Sequence, residues 1–480
     1  MNFMELKYSK LITAMFVVLF AVTAGLIISN ALKNFFSSDH WSSFLIMILF
    51  GIILIIPLII SLIKKRFDLF EPIFLWVLIY GFLYLAKPFA QLLTTEPFKY
   101  GSEFLNKALL LAILGLICFY AGYYGVFGRK IAKKIPVISD SVSSKKLFWI
   151  GWFFIALGFW GLNHYIQISG GWQVFWQKPH GLAGLAIKST AYIYELPELM
   201  VIGFILIYEI FIHRIIIEKK AVKIQNILGL IMAAIGGLGI YTIIWGSRTY
   251  FSWIIIAAVV LYFLKKQTKP KLKTIIIGIF VLFIVLSLIP IYRQYMYLGS
   301  NFSKITSDIK LSKILRVAFN PLDEFSSYLA EVALVPNSIP YGYFHLYAQT
   351  LLHPIPRLIW PNKPAFFNPN WDDFLSKSGM GWGAAESMLG DFYAQLGTWG
   401  IIICTFLSGI LWRTFYEYLR KAPTNRSVIL IYAIILPNMF TYVAQSALIG
   451  FLKWAPYMVP STIIALLLSR AKKKDEDVSV

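Results

Sequence analysis

Apolar runs of about twenty residues, separated by short polar connectors, recur along almost the whole chain. A helix needs about 20 residues to cross a hydrocarbon layer ~30 Å thick. In lipid only helices or closed barrels satisfy their own backbone groups, and these runs are too long and uniform for barrel strands. They predict spans at 11–29, 43–63, 69–92, 107–127, 147–168, 193–212, 226–245, 249–264, 273–291, 388–412, 427–446 and 449–469. The expected fold is all-α: a polytopic helical membrane protein of about 12 transmembrane helices, forming one integral membrane domain over 1–480. Lys7 and Lys10 precede the first run as in a signal peptide. That run is long and lacks a small-residue cleavage site, so it reads as a retained span.

Charge orients the spans. The residues before the first span and the connectors at 64–66, 128–146, 213–224, 265–273, 413–426 and 470–474 hold 28 of the 44 basic residues. Those at 30–42, 93–106, 170–190 and 246–248 hold one or two each. This alternation places the basic connectors and both termini in the cytoplasm. A net charge of +21 then reflects orientation and contact with anionic lipid; no nucleic-acid partner is expected. Composition agrees, at 58% hydrophobic and 14% charged residues with a mean hydropathy of +0.70. Cys118 and Cys404 both fall inside predicted spans, so no disulfide framework is expected. There is no P-loop and no GxGxxG following a strand, which argues against a nucleotide motor and against use of a cytosolic sugar nucleotide.

One stretch breaks the pattern. Residues 292–387, between spans 9 and 10, form a large extracytoplasmic segment rich in Tyr, Trp, Pro and Gly. Its eight basic residues do not violate the charge rule, since long loops translocate largely regardless of charge. It reads as partly helical. Ile305, Ile309, Leu315 and Ala318 are spaced for one apolar face. Asp323 and Glu324 follow Pro321 as first-turn acids of a helix ending near Leu334. Tyr341–Leu352 is apolar and aromatic but too short to span. Prolines at 354, 356, 361 and 364 then forbid regular structure.

Candidate chemistry gathers at this outer end. Arg248, in a two-residue polar break between apolar spans, either snorkels to the interface or binds an anion with its planar fork of donors. Arg293, just past the next span, is a second cation at the same level, and the pair suits a diphosphate whose lipid tail stays in the membrane. His353, Arg357 and Trp360 sit in the proline run, as positioned side chains or as a packed plug. His353 has the proton affinity for a general base, whereas His345, among Tyr343, Phe344 and Tyr347, reads as packing. In Gly379–Gly400, Glu386 and Asp391 are the carboxylates nearest the membrane. Asp391 falls inside the apolar run, as a buried proton-handling group or a first-turn acid complementing the helix dipole. Asp372 and Asp373 are adjacent acids, too weak a signal for a metal site, and neither metal nor cofactor is expected. Trp360 and the tyrosines offer aromatic faces for sugars, although membrane interfaces collect the same residues.

With these residues in place, the chain resembles the oligosaccharide repeat-unit polymerases of the O-antigen polymerase (Wzy) type. The likeness rests on Gly246-Ser247-Arg248 at a span start, Arg293 after the next span, and Pro356-Arg357-Leu358-Ile359-Trp360-Pro361-Asn362-Lys363-Pro364. Gly390-Asp391-Phe392-Tyr393 through Gly397 adds a run leading into the next span, with Asp391 where family members commonly carry Glu. The motifs cover about 240–415. The resemblance implies a glycosyltransferase of the bacterial cytoplasmic (inner) membrane, acting on its outer face. Its substrate would be an undecaprenyl-diphosphate-linked oligosaccharide, polymerised into O-antigen or capsule-type polysaccharide. Under it, Arg248, Arg293 and Arg357 bind the diphosphate and His353, Glu386 or Asp391 is the base, with Trp360 and Tyr393 contacting sugar. The bilayer, a chain-length regulator and a flippase are the implied partners.

Three other readings compete. A lipid-linked oligosaccharide flippase or other transporter would show internal symmetry and midplane ionisable groups, which this chain lacks. An O-antigen ligase would share the chemistry with a different acceptor. The last is a structural or regulatory membrane component.

Overall fold

The computed structural model describes residues 41–63, 68–94, 99–168, 170–173, 196–220, 224–240, 248–271, 273–275, 277–278, 323–352, 355, 359–362, 369–379, 387–444 and 447–471. Among them are helices and one isolated bridge, Val142 to Arg470, but no strand. Among the described residues seven stretches are long and apolar enough to cross a membrane: Trp41–Ile63, Pro72–Phe89, Gly101–Tyr124, Ser144–Ile168, Glu198–Ile216, Thr398–Lys421 and Arg426–Ala444. Of the twelve predicted spans, 11–29 lies outside the described residues and 273–291 almost entirely so. Those at 226–245, 249–264 and 449–469 are represented by helices described below.

Helix α1 (Trp41–Ile63) shows how the spans work. It buries Phe44, Met47, Phe50, Leu54 and Pro57 along one stripe and leaves Ile52, Ile56 and Ile59 exposed, a three-to-four-residue spacing that turns one face inward and one to lipid. Helix α2 (Pro72–Gly81) continues through a π-helical turn, Phe82–Ala86, into α3 (Lys87–Thr94). Then come α4 (Gly101–Tyr124), the short basic α5 (Phe127–Lys134), α6 (Ser144–Ile168) and α7 (Glu198–Ile216). Helix α8 (Ile224–Ala234) ends in a second π-helical turn, Ile235–Ile240, and α9 spans Arg248–Lys266.

The segment between residues 292 and 387 contributes α10 (Asp323–Leu334), α11 (His345–Leu352) and α12 (Pro369–Ser378). Helix α10 has the bounds its first-turn acids predict. It does not lie on a surface: Phe325, Ser327, Tyr328, Glu331 and Val332 are all buried. The chain closes with α13 (Met388–Leu396), α14 (Thr398–Lys421), α15 (Arg426–Ile435), α16 (Asn438–Ala444) and α17 (Ala447–Leu468).

Two predicted spans are broken. The run expected at 388–412 divides at Gly397, whose φ of 59° suits glycine, and the helix beyond it continues to Lys421. It outruns its apolar stretch because Arg413 is neutralised within the protein, by Glu71 at 3.1 Å and by Glu417. The run expected at 427–446 divides at Pro437, which removes a backbone donor. Beside the break, Asn438 Nδ2 donates to the Ile434 carbonyl at 2.9 Å.

Small residues set the tightest helix contacts, as they do where lipid offers no hydrophobic driving force. A Cβ at Gly122 on α4 would lie 2.0 Å from the Phe406 carbonyl oxygen of α14, and one at Gly409 would lie 2.2 Å from the Phe119 oxygen. Helices α6 and α7 meet the same way, with a Cβ at Gly203 falling 2.4 Å from the Gly151 oxygen.

The connectors sort into two ends. Lys421 donates to the Lys133 and Ile135 carbonyls, Asn425 to Ile138, Lys146 to Arg470 and Gln267 to Pro423. At the opposite ends of these helices, Lys99 donates to the Ser378 carbonyl and Ser43 to Asn106. This grouping is the one the charge alternation predicts.

A buried ion cluster joins three helices at the basic end. Glu209 of α7, fully buried, accepts from Arg426 Nε at 2.9 Å and Nη2 at 2.7 Å, and lies 2.8 Å from Lys265 Nζ of α9. Removing the anion strands two buried cations, whereas removing Arg426 leaves Glu209 balanced by Lys265. Loss of a partner from a buried cluster costs about 3–5 kcal/mol. Glu209→Gln should therefore lower the thermal unfolding midpoint of the detergent-solubilised protein by more than Arg426→Gln. Equal or reversed shifts, followed by scanning fluorimetry, would contradict this charge balance.

Candidate active site

The first turn of α13 is built around a cap. Ser387 Oγ accepts from the Gly390 N–H at 3.1 Å, meeting a donor that a helix start leaves unpaired, while its carbonyl takes the first intrahelical bond, from the Asp391 N–H at 2.9 Å. Asp391 follows as a first-turn acid, on the side of the helix dipole that favours it. It is also wholly buried. The two expectations for this residue, burial and dipole complementation, are thus compatible.

Both Asp391 oxygens carry partners. Oδ2 accepts from the Tyr347 hydroxyl at 2.6 Å, and Oδ1 from Gln395 Nε2 at 3.2 Å. Burial pushes the Tyr347 hydroxyl well above the usual phenol range, and the carboxylate beside it pushes the same way. Tyr347 therefore stays a proton donor throughout the physiological range. Gln395 passes the connection on: its Oε1 accepts from the Phe344 N–H at 2.8 Å. The Gly342 N–H meets the Ala394 carbonyl at 2.9 Å, and the Tyr343 N–H meets that of Gln395 at 3.1 Å. Carbonyls left over at the end of α13 are thereby capped by the turn that starts α11.

A second carboxylate sits against the same turn. Glu331 of α10 is 2% exposed, and a Cβ at Gly390 would lie 1.3 Å from its Oε2. A side chain at 390 would require that carboxylate to move. Tyr84, at the π-helical turn, accepts from the Leu389 N–H at 3.2 Å, and Tyr328 of α10 donates to the Ala108 carbonyl of α4 at 2.8 Å. Two carboxylates, a tyrosine donor and an amide are thus gathered at the non-basic end, where α10, α11 and α13 meet α4.

The residues expected to form the site fall unevenly on this frame. Asp391 lies at its centre. Tyr393 is 2% exposed, with the Lys107 ammonium 5.3 Å from its ring centroid. Trp360 is exposed. Arg248 begins α9. His353, Arg357, Arg293 and Glu386 lie outside the described residues, as do Ile305, Ile309, Leu315 and Ala318. His345 is exposed instead of packed; the buried aromatic is Tyr347, two residues on. Asp373 pairs with Lys377 at 2.6 Å. Sequence reasoning missed Glu331, Gln395 and the donor role of Tyr347. Gly390 was the available signal, since a glycine just inside a capped helix implies something pressed against it.

The sequence profile of the family described as O-antigen polysaccharide polymerase Wzy matches residues 10–475. No curated protein and no solved structure matches the chain.

Two substitutions test the frame. Tyr347→Phe removes one hydrogen bond to a buried carboxylate, worth about 1.5–3 kcal/mol, and should lower the unfolding midpoint in detergent without changing membrane insertion. Gly390→Ala places a methyl group where the buried Glu331 carboxylate sits and forces it to move, so it should lower the unfolding midpoint, with Glu331→Ala in the same chain restoring part of it. Wild-type yield and melting for Gly390→Ala would refute the notch.

Proposed function

The chain belongs to the O-antigen polysaccharide polymerase family, Wzy, and from that premise we propose that it polymerises lipid-linked oligosaccharide repeat units on the outer face of the bacterial cytoplasmic membrane. The match over nearly the whole chain carries this reading. The charge alternation supports the orientation: the basic end and both termini face the cytoplasm, and the Asp391 frame faces out.

In the proposed reaction the growing glycan is held on undecaprenyl diphosphate. A hydroxyl of the incoming unit attacks the anomeric carbon of the growing chain. The new glycosidic bond forms as the bond from that carbon to the diphosphate oxygen breaks, and undecaprenyl diphosphate departs with the electron pair. The acceptor proton goes to a base. Arg248 and Arg293, assisted by Arg357, stabilise the leaving diphosphate, where charge-assisted and bidentate donors are strongest. With both its oxygens already accepting, Asp391 serves by positioning, and His353 or Glu386 takes the proton. His353 lies six residues beyond Tyr347, so the Asp391–Tyr347 bond anchors the helix that leads into the His353–Pro364 run. The leaving group is already activated, so no nucleotide enters the scheme. A flippase delivering the substrate and a chain-length regulator are the expected partners.

The test uses purified protein in liposomes with a synthetic lipid-diphosphate repeat unit and no nucleotide. A ladder of products with release of lipid diphosphate is expected. Transfer to lipid A core would indicate a ligase, and substrate crossing the bilayer without diphosphate release would indicate a flippase. Arg248→Ala and Arg293→Ala should each reduce elongation by about 10²–10³-fold, the loss typical of one donor to a developing oxyanion. Lys at either position should rescue only partly, because a point charge cannot reproduce the planar fork. Full ladders from both Ala variants would rule out the diphosphate clamp.

A further inference from the structure

The turn from α10 to α11 carries a conformation that its own sequence disfavours. Tyr343 and Phe344 are consecutive non-glycine residues with φ of 45° and 59°. Bulky side chains are rare in this region, and such residues persist only where the surroundings hold them, typically at sites that bind or react. Here three N–H bonds from residues 342–344 to Ala394 and Gln395 do the holding.

The strained turn presents aromatic rings. Tyr343 is 68% exposed, although packing alone would favour turning a large ring inward. Its ring stands edge-on to Tyr341, with centroids 5.9 Å apart. Tyr341, half-buried, has Tyr393 and Lys107 as its other charged and phenolic neighbours, and its hydroxyl would lie 2.8 Å from a Cβ at Gly397. Gly397 is the residue that divides the predicted tenth span, so the break in the helix makes the room that Tyr341 occupies. Lys107, exposed on the second turn of α4, lies over the Tyr393 ring. Two partly open phenol faces, their hydroxyls and one ammonium thus stand together beside the Asp391 frame.

We infer that Lys107, Tyr341 and Tyr343, backed by Tyr393, form a saccharide subsite that holds the glycan portion of the substrate. Ring faces match the C–H face of a pyranose, and the phenol and ammonium groups supply donors for its hydroxyls. Most saccharides carry no charge, so the subsite complements an anion clamp for the diphosphate instead of duplicating it. The inference rests on the polymerase reading for the identity of its ligand, a saccharide, and adds where that ligand is gripped.

The experiment measures binding of two-repeat glycan fragments, cut from the polysaccharide of the cells that carry this gene, to the full chain in nanodiscs. Chain-length ladders are run in parallel. Tyr343→Ala and Lys107→Gln should each weaken fragment binding about three- to tenfold, the weight of one ring or donor contact, and shorten the ladder. Tyr343→Trp and Lys107→Arg should retain binding, which a role in folding alone would not predict. Both side chains are exposed, so the variants should elute and melt as the wild type does. Undiminished binding by both loss variants, or no fragment binding by the wild type, would overturn the subsite and leave a wild-type ladder standing for the polymerase. Fragment binding without any ladder would keep the subsite and sink the polymerase reading.

Discussion

A carboxylate sealed from water must be met by donors, because leaving a buried charge unmet costs far more than a hydrogen bond returns. Asp391 imposes that demand on the non-basic end of the protein. Two donors to it come from different places: Tyr347 lies on α11, and Gln395 is one turn along α13. Meeting the demand therefore fixes α11 against α13. Through Gln395 it also fixes the Gly342–Phe344 turn, which in turn caps the end of α13. Glu331 lodges in the Gly390 notch directly before Asp391, so α10 is drawn into the same knot. A segment that hydropathy alone would leave outside the bundle is thereby made part of it.

The two ends solve the burial of polar groups differently. At the basic end, opposite charges are paired outright: Glu209 with Arg426 and Lys265, and Arg413 with Glu71 and Glu417. Such clusters hold helices in register, and each member is costly to lose singly. At the other end the described contacts are dominated by hydroxyl and amide bonds to carboxylates and carbonyls. Between them runs an aromatic file, Tyr328, Tyr84, Tyr80, Trp76, Phe119 and Tyr123, with neighbouring ring centroids 3.7–5.9 Å apart. Tyr80, Tyr84 and Tyr328 each donate to a carbonyl on another helix. This satisfies their hydroxyls in a medium without water and ties α2, α4, α10 and α16 together. The file ends at Arg413, 5.2 Å above the Tyr123 ring.

Much of this was legible in the sequence, and what was not has a physical reason. Hydropathy runs marked the seven long helices among the described residues, and the connector contacts that are described agree with the grouping the charge alternation expects, because both follow from the membrane as solvent. First-turn acids located α10, from Asp323 to about Leu334. The breaks at Gly397 and Pro437 were visible as letters, but an apolar window averages over single residues, and only tertiary contacts decide whether a glycine bends a helix. Glu331 carried no signal of its own. Its meaning depends on a glycine 59 positions later, and pairings of that range follow from the fold and not from local pattern. Tyr347 was passed over because an aromatic among aromatics reads as packing until its hydroxyl is seen on a carboxylate.

The length of the side chain at 391 also follows from this geometry. A carboxylate on the first turn of α13 has to reach Gln395 at i+4 and the Tyr347 hydroxyl across the interface at once. With an aspartate the contacts are 3.2 Å and 2.6 Å, and there is no exposed volume around it to take up slack. A glutamate would carry the group one methylene farther, and packed interiors respond to an added methylene by shifting side chains or backbone at a cost of about 1–3 kcal/mol. The shift would fall on α11, since α13 is held from behind by Glu331 at Gly390. Aspartate at 391 thus sets the spacing of α11 against α13, while glycine at 390 and glutamate at 331 set that of α10 against the same turn.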